Sequence, residues 1–560
     1  MKRESDDGNI EYKIKLIDKN NERLEKLATQ MRYRVDEGNG EAIYCIGVAD
    51  CGDFEGLTEK EYNETIDNLK YIANKNNYSI FFLSKKQVYN HSIVDTNNES
   101  KKNIIEEKKY VYELLVREIN EDSYINIKVA VAGGVDSGKS TTMGLLTNGI
   151  LDDGRGSARM SIFNYKHEIA SGRTSSVAHH ILGFDQDGNI TNYEKFKKPT
   201  WPEIVKKSSK IISFLDLCGH EKYLKTTIRG LTSSRPDVCF IIIGANMGMN
   251  KITIEHINIC ISLNIPFCVI ITKIDICKER KNILKNTKDN LYQYLKDTNV
   301  KKIPYKVSNM EDVVTCAKNL YSSCYVPIFF TSNVTGKGIN LLKSFLNIVQ
   351  KKKRNKNSND PVEMQMDYFM KVKGVGVVIG GHLHSGQIKS GDNLYLGPVN
   401  NQYVNITVKS IHCKRVLTNK VNCGNYVCLG LKKVDINILR KGQVVVSNKK
   451  ILIKEFEAEV FVLKSNHTTI KVGYQPVIHT GSIRQTVRIN DIYNKVDART
   501  RTDKIINNIN EKKKTVLRTG DRAIIRFKFK YNGEYIKKGN KILMAEGKVK
   551  MIGIIRNIIE

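Results

Sequence analysis

Gly133, Gly138, Lys139 and Ser140 stand at the spacing G-x-x-x-x-G-K-[ST], directly after the apolar run Ile127 to Ala132. This pattern makes a phosphate-binding loop. A buried strand delivers the chain to a tight turn whose backbone N–H groups converge on an anion. Gly133 and Gly138 permit the turn, and Gly134, Val135, Asp136 and Ser137 complete the cradle. Lys139 is placed to reach the β- and γ-phosphates, and Ser140 to ligate Mg²⁺. Thr141 opens a helix whose positive end faces the same anion.

The motifs that follow specify the nucleotide. The run Ile211 to Leu217 contains Asp216, and Gly219 completes D-x-x-G. Asp216 would hold Mg²⁺ through water, and the Gly219 N–H would face the γ-phosphate. Phe267 begins a strand that ends in Thr272-Lys273-Ile274-Asp275. A carboxylate at Asp275 accepts from the N1–H and N2–H₂ groups of guanine; adenine lacks that donor pair. The stem of Lys273 lies along the base. Ser332, Asn333 and Val334 follow a third strand, and their N–H groups suit guanine O6. Each motif is short, but their order and their apolar strands point to GTP and GDP, with Mg²⁺, and to hydrolysis of GTP to GDP and phosphate. His220, next to Gly219, falls beside the γ-phosphate and is the catalytic candidate, orienting the attacking water. In the intervening segment Arg155 to Phe184, a Thr174 hydroxyl completes the Mg²⁺ shell only with γ-phosphate present, an order–disorder switch. Arg173 reads as a surface residue of that switch; an internal arginine finger is the alternative.

The elements needed to position these residues are present. From 121 to 350, apolar strands alternate with helices (127–132, 140–149, 211–217, 220–231, 238–244, 253–263, 266–272, 282–297, 326–331, 338–350). That rhythm predicts a mostly parallel sheet covered on both faces, with its ligand at the carboxyl ends of the strands. Residues 1–120 predict a small α/β domain of two helices and about four strands, with no chemistry of its own. Lys351 to Asn359 reads as a basic linker rather than a nuclear-localisation signal. Beyond 361 the strands are short and the turns glycine-rich, giving two all-β domains that divide near 453. The expected fold class is multidomain α/β plus all-β, with boundaries at 1–120, 121–355, 356–453 and 454–560. Residues 491–515 read as a mobile, basic insertion that could contact RNA.

Composition narrows the partners. The chain is 41% hydrophobic and 27% charged, as in soluble globular proteins. The start, Met-Lys-Arg-Glu-Ser-Asp-Asp, has no signal-peptide pattern, and no apolar run is long enough to span a membrane. Twelve scattered cysteines without C-x-x-C pairs suggest buried thiols in a reducing, cytoplasmic setting. The net charge of +31 is unevenly spread: residues 1–120 carry −4, residues 121–350 carry +10 and residues 351–560 carry +25. A polyanion such as RNA is the partner expected for 351–560.

Gly133-Gly-Val-Asp-Ser-Gly-Lys-Ser, Asp216-Leu-Cys-Gly-His, Thr253-Ile-Glu-His256 and Thr272-Lys-Ile-Asp resemble the translation-factor GTPases of the elongation factor Tu class. Further stretches resemble the GTP-binding protein 1 and 2 subfamily: Leu151 to Arg159, His167 to Ser176, Gly219 to Thr227, Ser332-Asn-Val-Thr-Gly, Gly38 to Gly47 and Gly473 to Gln485. The resemblance covers nearly the whole chain. It implies a GTPase domain followed by two β-barrels, with a subfamily-type domain in front. It places Thr174 as the γ-phosphate-sensing threonine and Val135 on one side of an apolar gate around His220. It further implies a monomer that binds tRNA or the ribosome; the alternative is an adaptor in mRNA turnover acting through protein partners, for which 1–120 is the candidate surface. Two departures stand out. Thr272 replaces the usual Asn that ties the base to the loop, which predicts weaker nucleotide binding and spontaneous exchange. Gly134 and Ser137 replace bulkier residues of the loop.

Overall fold

The computed structural model describes residues 3–17, 20–88, 108–119, 124–160, 162, 177–194, 198–220, 223–277, 280–297, 300–321, 324–352, 359–463, 469–496, 503–504, 516–546 and 548–559. The first domain orders its strands β1 (Ile10–Lys13), β2 (Glu41–Ile46), β3 (Tyr78–Val88) and β4 (Lys109–Glu118) as β1-β2-β4-β3. Helices Asn21–Glu37 and Glu59–Lys75 cover one face. Their Met31, Val35, Leu69 and Ile72 pack on Tyr44, Leu114 and Val116. A capping box between Thr58 and Glu61 starts the second helix.

The other face of this sheet is not open to solvent. Ile43, Cys45, Val111 and Leu115 share one core with Val313, Ala317, Phe345 and Leu346 of the next domain. A charged triad lies at its rim, with Glu41, Arg117 and Lys210 each 0% exposed. Arg117 Nε donates to Glu41 Oε1 at 2.8 Å, and Lys210 Nζ donates to Glu41 Oε2 at 2.8 Å. Both cations also donate to the Asn347 carbonyl, at 2.9 and 2.7 Å. Burial lowers the Lys210 ammonium to about 8, against the pull of Glu41.

The second domain orders β5 (Ile125–Gly133), β6 (Ala178–Phe184), β7 (Lys210–Asp216), β8 (Val238–Gly244), β9 (Phe267–Thr272), β10 (Ile303–Lys306) and β11 (Tyr325–Phe330) as β10-β11-β9-β8-β5-β7-β6. Every neighbouring pair is parallel except β6 with β7. The central strands β8 and β9 are buried along their whole length, as a sheet covered on both faces requires. The structure adds β6, β10 and the helices Trp201–Lys207 and Met310–Asn319 to the elements expected from sequence. β6 opens Ala178-His179-His180 ahead of its buried Ile181-Leu182-Gly183-Phe184, and none of the four residues of β10 is buried.

Each of the last two domains is a closed barrel of six strands. In the first, ring order runs Asn393–Val399, Val444–Val446, Glu363–Val372, Gly376–Ser385, Tyr426–Lys432, Gln402–Cys413, and the last pairs back onto the first. In the second it runs Val477–Thr480, Lys541–Glu546, Lys548–Ile559, Glu455–Val462, Arg522–Phe529, Ile483–Val496, again closing on itself. Closure removes the free sheet edges that short strands would otherwise expose. Residues 491–496, expected in an insertion, instead extend the strand Ile483–Val496, where Ile492 faces the core. The rest of that stretch, apart from 503–504, lies outside the described residues up to 515. Among the described residues no helix is long and apolar enough to cross a membrane.

Candidate nucleotide site

Because β5, β7, β9 and β11 run parallel, their carboxyl ends share one edge. Val131 is in register with Asp216, Gly244 with Thr272, and Ile271 with Phe330. The segments expected to bind phosphate, metal and base therefore meet there.

The phosphate loop turns through positive φ at Asp136 (56°) and Gly138 (89°). Lys139 is buried, and its Nζ donates to the Gly134 carbonyl at 2.7 Å. Ser137 Oγ donates to the same oxygen at 2.9 Å. Burial lowers the Lys139 pKa, and Asp216 is the largest influence opposing that. Ser140 Oγ donates to Asp216 Oδ2 at 3.2 Å. A hydroxyl and a carboxylate from two elements are thus in contact, and this oxygen donor pair suits Mg²⁺. Gly219 lies on the loop itself: a Cβ there would be 2.3 Å from Lys139 Nζ and 2.8 and 2.9 Å from the carbonyl oxygens of Gly133 and Gly134. His220 comes next in the chain; its carbonyl accepts from Tyr223 N–H at 2.9 Å, and the two rings meet edge-on at 6.1 Å. Thr174 and Arg173 lie outside the described residues.

At the base end, Asp275 Oδ1 is buried and has no hydrogen-bond partner among the described residues. An unpaired carboxylate oxygen is an acceptor whose desolvation is not compensated, and the paired N–H groups of guanine would compensate it. Lys273 beside it adopts φ 60°. Thr272 is shorter than the usual Asn, yet its Oγ1 donates to the Ser137 carbonyl at 2.6 Å. The tie between this strand and the phosphate loop is therefore made. What the shorter side chain forgoes is reach toward the base.

Ser332 corrects the expectation placed on it. Its N–H donates to the Lys337 carbonyl at 3.0 Å, and its Oγ accepts from Thr335 N–H at 3.1 Å. Ser332 holds the loop in shape, and its N–H is already committed within that loop. Thr142 and Asn250, not singled out from sequence, join the site, as does His256 of the Thr253-Ile-Glu-His256 stretch. Asn333 Nδ2 donates to Thr142 Oγ1 at 3.0 Å, fastening the base loop to the phosphate-loop helix. Asn250 fills the space above Gly134: a Cβ at Gly134 would lie 2.3 Å from its Nδ2. His256, buried near Lys139, has its pKa lowered to about 3 by burial and by that cation. His256 carried a sequence signal as the end of Thr253-Ile-Glu-His256, and Asn250 only the weak one of an N-cap three residues before Thr253.

Comparison with known proteins agrees with this geometry. Residues 125–351 match the elongation factor Tu GTP binding domain, 376–446 match elongation factor Tu domain 2, and 455–532 match the GTP-eEF1A C-terminal domain-like family. GTP-binding protein 2 of Homo sapiens is 39% identical over 99% of this chain and 88% of its own length. GTP-binding protein 1 of Xenopus laevis is 38% identical over 99% of this chain and 79% of its own. Among solved structures, bacterial selenocysteine-specific elongation factor EF-Sec superposes with a TM-score of 0.53 at 19% identity, covering 77% of this chain and 58% of that one. Elongation factor SelB from Methanococcus maripaludis, in complex with the GTP analogue GppNHp, gives 0.52 at 19% identity over 78% of this chain and 79% of that one. At that identity the two structures attest the fold alone. A phosphate loop, a D-x-x-G strand and a base-reading loop on one sheet edge, with sequence kinship along nearly the whole chain, have one joint meaning: this chain is a GTPase and belongs to the GTP-binding protein 1/2 family of elongation factor Tu-type GTPases.

Proposed function

We propose that this GTPase is a translation-factor-type switch that binds RNA, in the form of tRNA or the ribosome, in its GTP state. The observation that carries the reading is the joining of a guanine-nucleotide site to two closed barrels within a segment, 351–560, whose net charge is +25. The domains divide near 120, 355 and 453, and the protein acts as a cytoplasmic monomer.

In this reading Gly133 to Ser140 cradle the phosphates, and Lys139 leaves the Gly134 carbonyl to meet the β- and γ-phosphate oxygens. Ser140, and Asp216 through water, would hold Mg²⁺, which would supply neutralisation of phosphate charge. Thr174 would join that shell, and Asp275, Lys273, Asn333 and Val334 read the base. Gly219 places its N–H toward the γ-phosphate, so the state of the phosphate is felt at His220. His220 accepts a hydrogen bond from the attacking water and aligns it, while Val135 limits access. Loss of the γ-phosphate releases Thr174 and with it the segment that leads into β6.

The test is binding of aminoacyl-tRNA, deacylated tRNA and an unrelated RNA of equal length, with a non-hydrolysable GTP analogue and with GDP, at two salt concentrations. Preference for one tRNA form in the GTP state, falling steeply with salt through counterion release, is expected. Equal binding of all RNAs in both nucleotide states would refute it and favour an adaptor that works through protein partners.

A further inference from the structure

The base loop after β11 and the helix Lys139–Asn148 are joined by two buried side chains that belong to neither short motif's chemistry. Asn333 comes from the loop and Thr142 from the helix. Asn333 Nδ2 donates to Thr142 Oγ1 at 3.0 Å, and that hydroxyl lies 3.3 Å from Asn333 Oδ1, close enough to donate in return. Amide and hydroxyl therefore satisfy each other away from water. Thr142 is itself fixed, since its N–H donates to the Gly138 carbonyl at 2.8 Å and closes the first turn of the helix that receives phosphate. The Thr272 hydroxyl makes a different tie. It is directed to the Ser137 carbonyl at 2.6 Å, with the Ile243 carbonyl next at 3.3 Å, and so fixes β9 rather than the base loop. Both ties close on one glycine: a Cβ at Gly138 would lie 3.3 Å from Thr272 Oγ1 and 3.6 Å from Asn333 Nδ2. The base loop does not need the Asn333 side chain for its own shape. Ser332 N–H donates to the Lys337 carbonyl, Gly336 N–H to the Ser332 carbonyl, and Asp152 N–H to the Asn333 carbonyl, each at 3.0 Å. What the side-chain pair adds is a fixed separation between the base loop and the phosphate-binding helix.

We propose that Asn333 and Thr142 are positioning residues that make base recognition and phosphate binding cooperative. A nucleotide touches both loops at once, so its two ends bind well together only when the loops stand at one separation. The pair holds that separation before the ligand arrives and removes the ordering that an untied base loop would undergo on binding. Without it, each loop still binds its own half of the ligand, but the two halves no longer help each other. This coupling rests on the reading that Asn333 and Val334 face the base, and it holds whichever RNA or protein is the partner.

Displacement of a fluorescent GDP analogue separates the two halves, with GDP and inorganic pyrophosphate as competitors in the presence of Mg²⁺. Asn333→Ala and Thr142→Val should each weaken GDP binding about 5- to 10-fold, the loss of a buried hydrogen-bonded pair, and pyrophosphate binding less than about two-fold. The double variant should bind GDP within about two-fold of the weaker single variant, because both changes remove the same contact. Thr142→Ser keeps the hydroxyl and should bring GDP affinity back to within about two-fold of the wild type, which a general weakening of the helix would not allow. Equal weakening of GDP and pyrophosphate, strict additivity of the two changes, or failure of Thr142→Ser to restore affinity would overturn the proposal. Asp275→Asn, measured alongside, tests the underlying reading. Unchanged GDP affinity in that variant would show that these loops do not read the base at all. A loss in Asp275→Asn beside unchanged affinity in Asn333→Ala would refute the positioning pair alone.

Discussion

Gly134→Ala adds one methyl group where the structure has no room for it. The new carbon would stand 2.3 Å from Asn250 Nδ2 and 3.2 Å from its Cγ. Relief to ordinary contact needs a shift of about 1 Å. Asn250 is not free to give way. Its Oδ1 accepts from the Thr253 N–H and from Thr253 Oγ1, both at 2.8 Å, and so caps the helix Lys251–Ser262. Losing an N-cap costs about 0.5–2 kcal/mol. If the loop moves instead, the Gly134 carbonyl that anchors Lys139 and Ser137 moves with it. Either way roughly 1–2 kcal/mol is withdrawn from the arrangement that receives phosphate, which corresponds to about 5- to 30-fold weaker GDP binding. The assay is displacement of a fluorescent GDP analogue by the wild type, Gly134→Ala, Asn250→Ser and the double variant. Serine keeps a capping oxygen but frees the space, so the double variant should bind GDP better than Gly134→Ala alone. Strict additivity, or unchanged affinity of Gly134→Ala, would show that the two residues do not contend for one space.

Asp275→Asn should weaken GDP binding by about 10²–10⁴-fold, since two charge-assisted hydrogen bonds are lost; equilibrium binding compared with xanthosine diphosphate, which should gain affinity, checks this. Thr272→Val removes the hydroxyl that holds the Ser137 carbonyl and should speed GDP release about 5- to 10-fold, read by stopped-flow; an unchanged rate would mean that the contact at 2.6 Å does not restrain the loop. His220→Ala should slow single-turnover GTP hydrolysis about 10²–10⁴-fold with GDP affinity intact. Burial holds His256 at about 3 and His179, His180 and His479 at about 4 in the folded chain. The unfolded chain takes up these protons first, near 6.5, so stability should fall as pH drops from about 6.5 toward 4. Thermal melts across that range should show a shallower pH dependence in His256→Met, the remainder being set by the other three histidines.

Much of the nucleotide site was legible because its signals are local. Glycines fix a turn, a strand precedes each motif, and parallel strands bring their ends together whatever lies between. Asn250 and Thr142 were hidden for the opposite reason. Each acts on a neighbour more than a hundred positions away in sequence, and neither belongs to a motif. Thr272 was read by the length of its side chain, but the loop comes close enough for a hydroxyl to suffice. β6 was absorbed into the switch segment because its two histidines break the apolar pattern that marks the other strands. The first domain's two helices and four strands were visible, whereas the destination of its second apolar face was not. Alternation shows that a face is buried, but not against what.

That second face ties two modules into one folding unit. A single hydrophobic core runs from Ile43 and Leu115 to Phe345 and Leu346, with no solvent layer where one domain ends and the next begins. A GTPase fragment beginning after the first domain would expose that apolar wall to water and leave the Lys210 ammonium without the Glu41 carboxylate that compensates it. Aggregation of the truncated protein would then report a missing half-core rather than a lost partner. By the same token, opening of the first domain should coincide with opening of the nucleotide-binding sheet, and hydrogen exchange should record the two as one cooperative event.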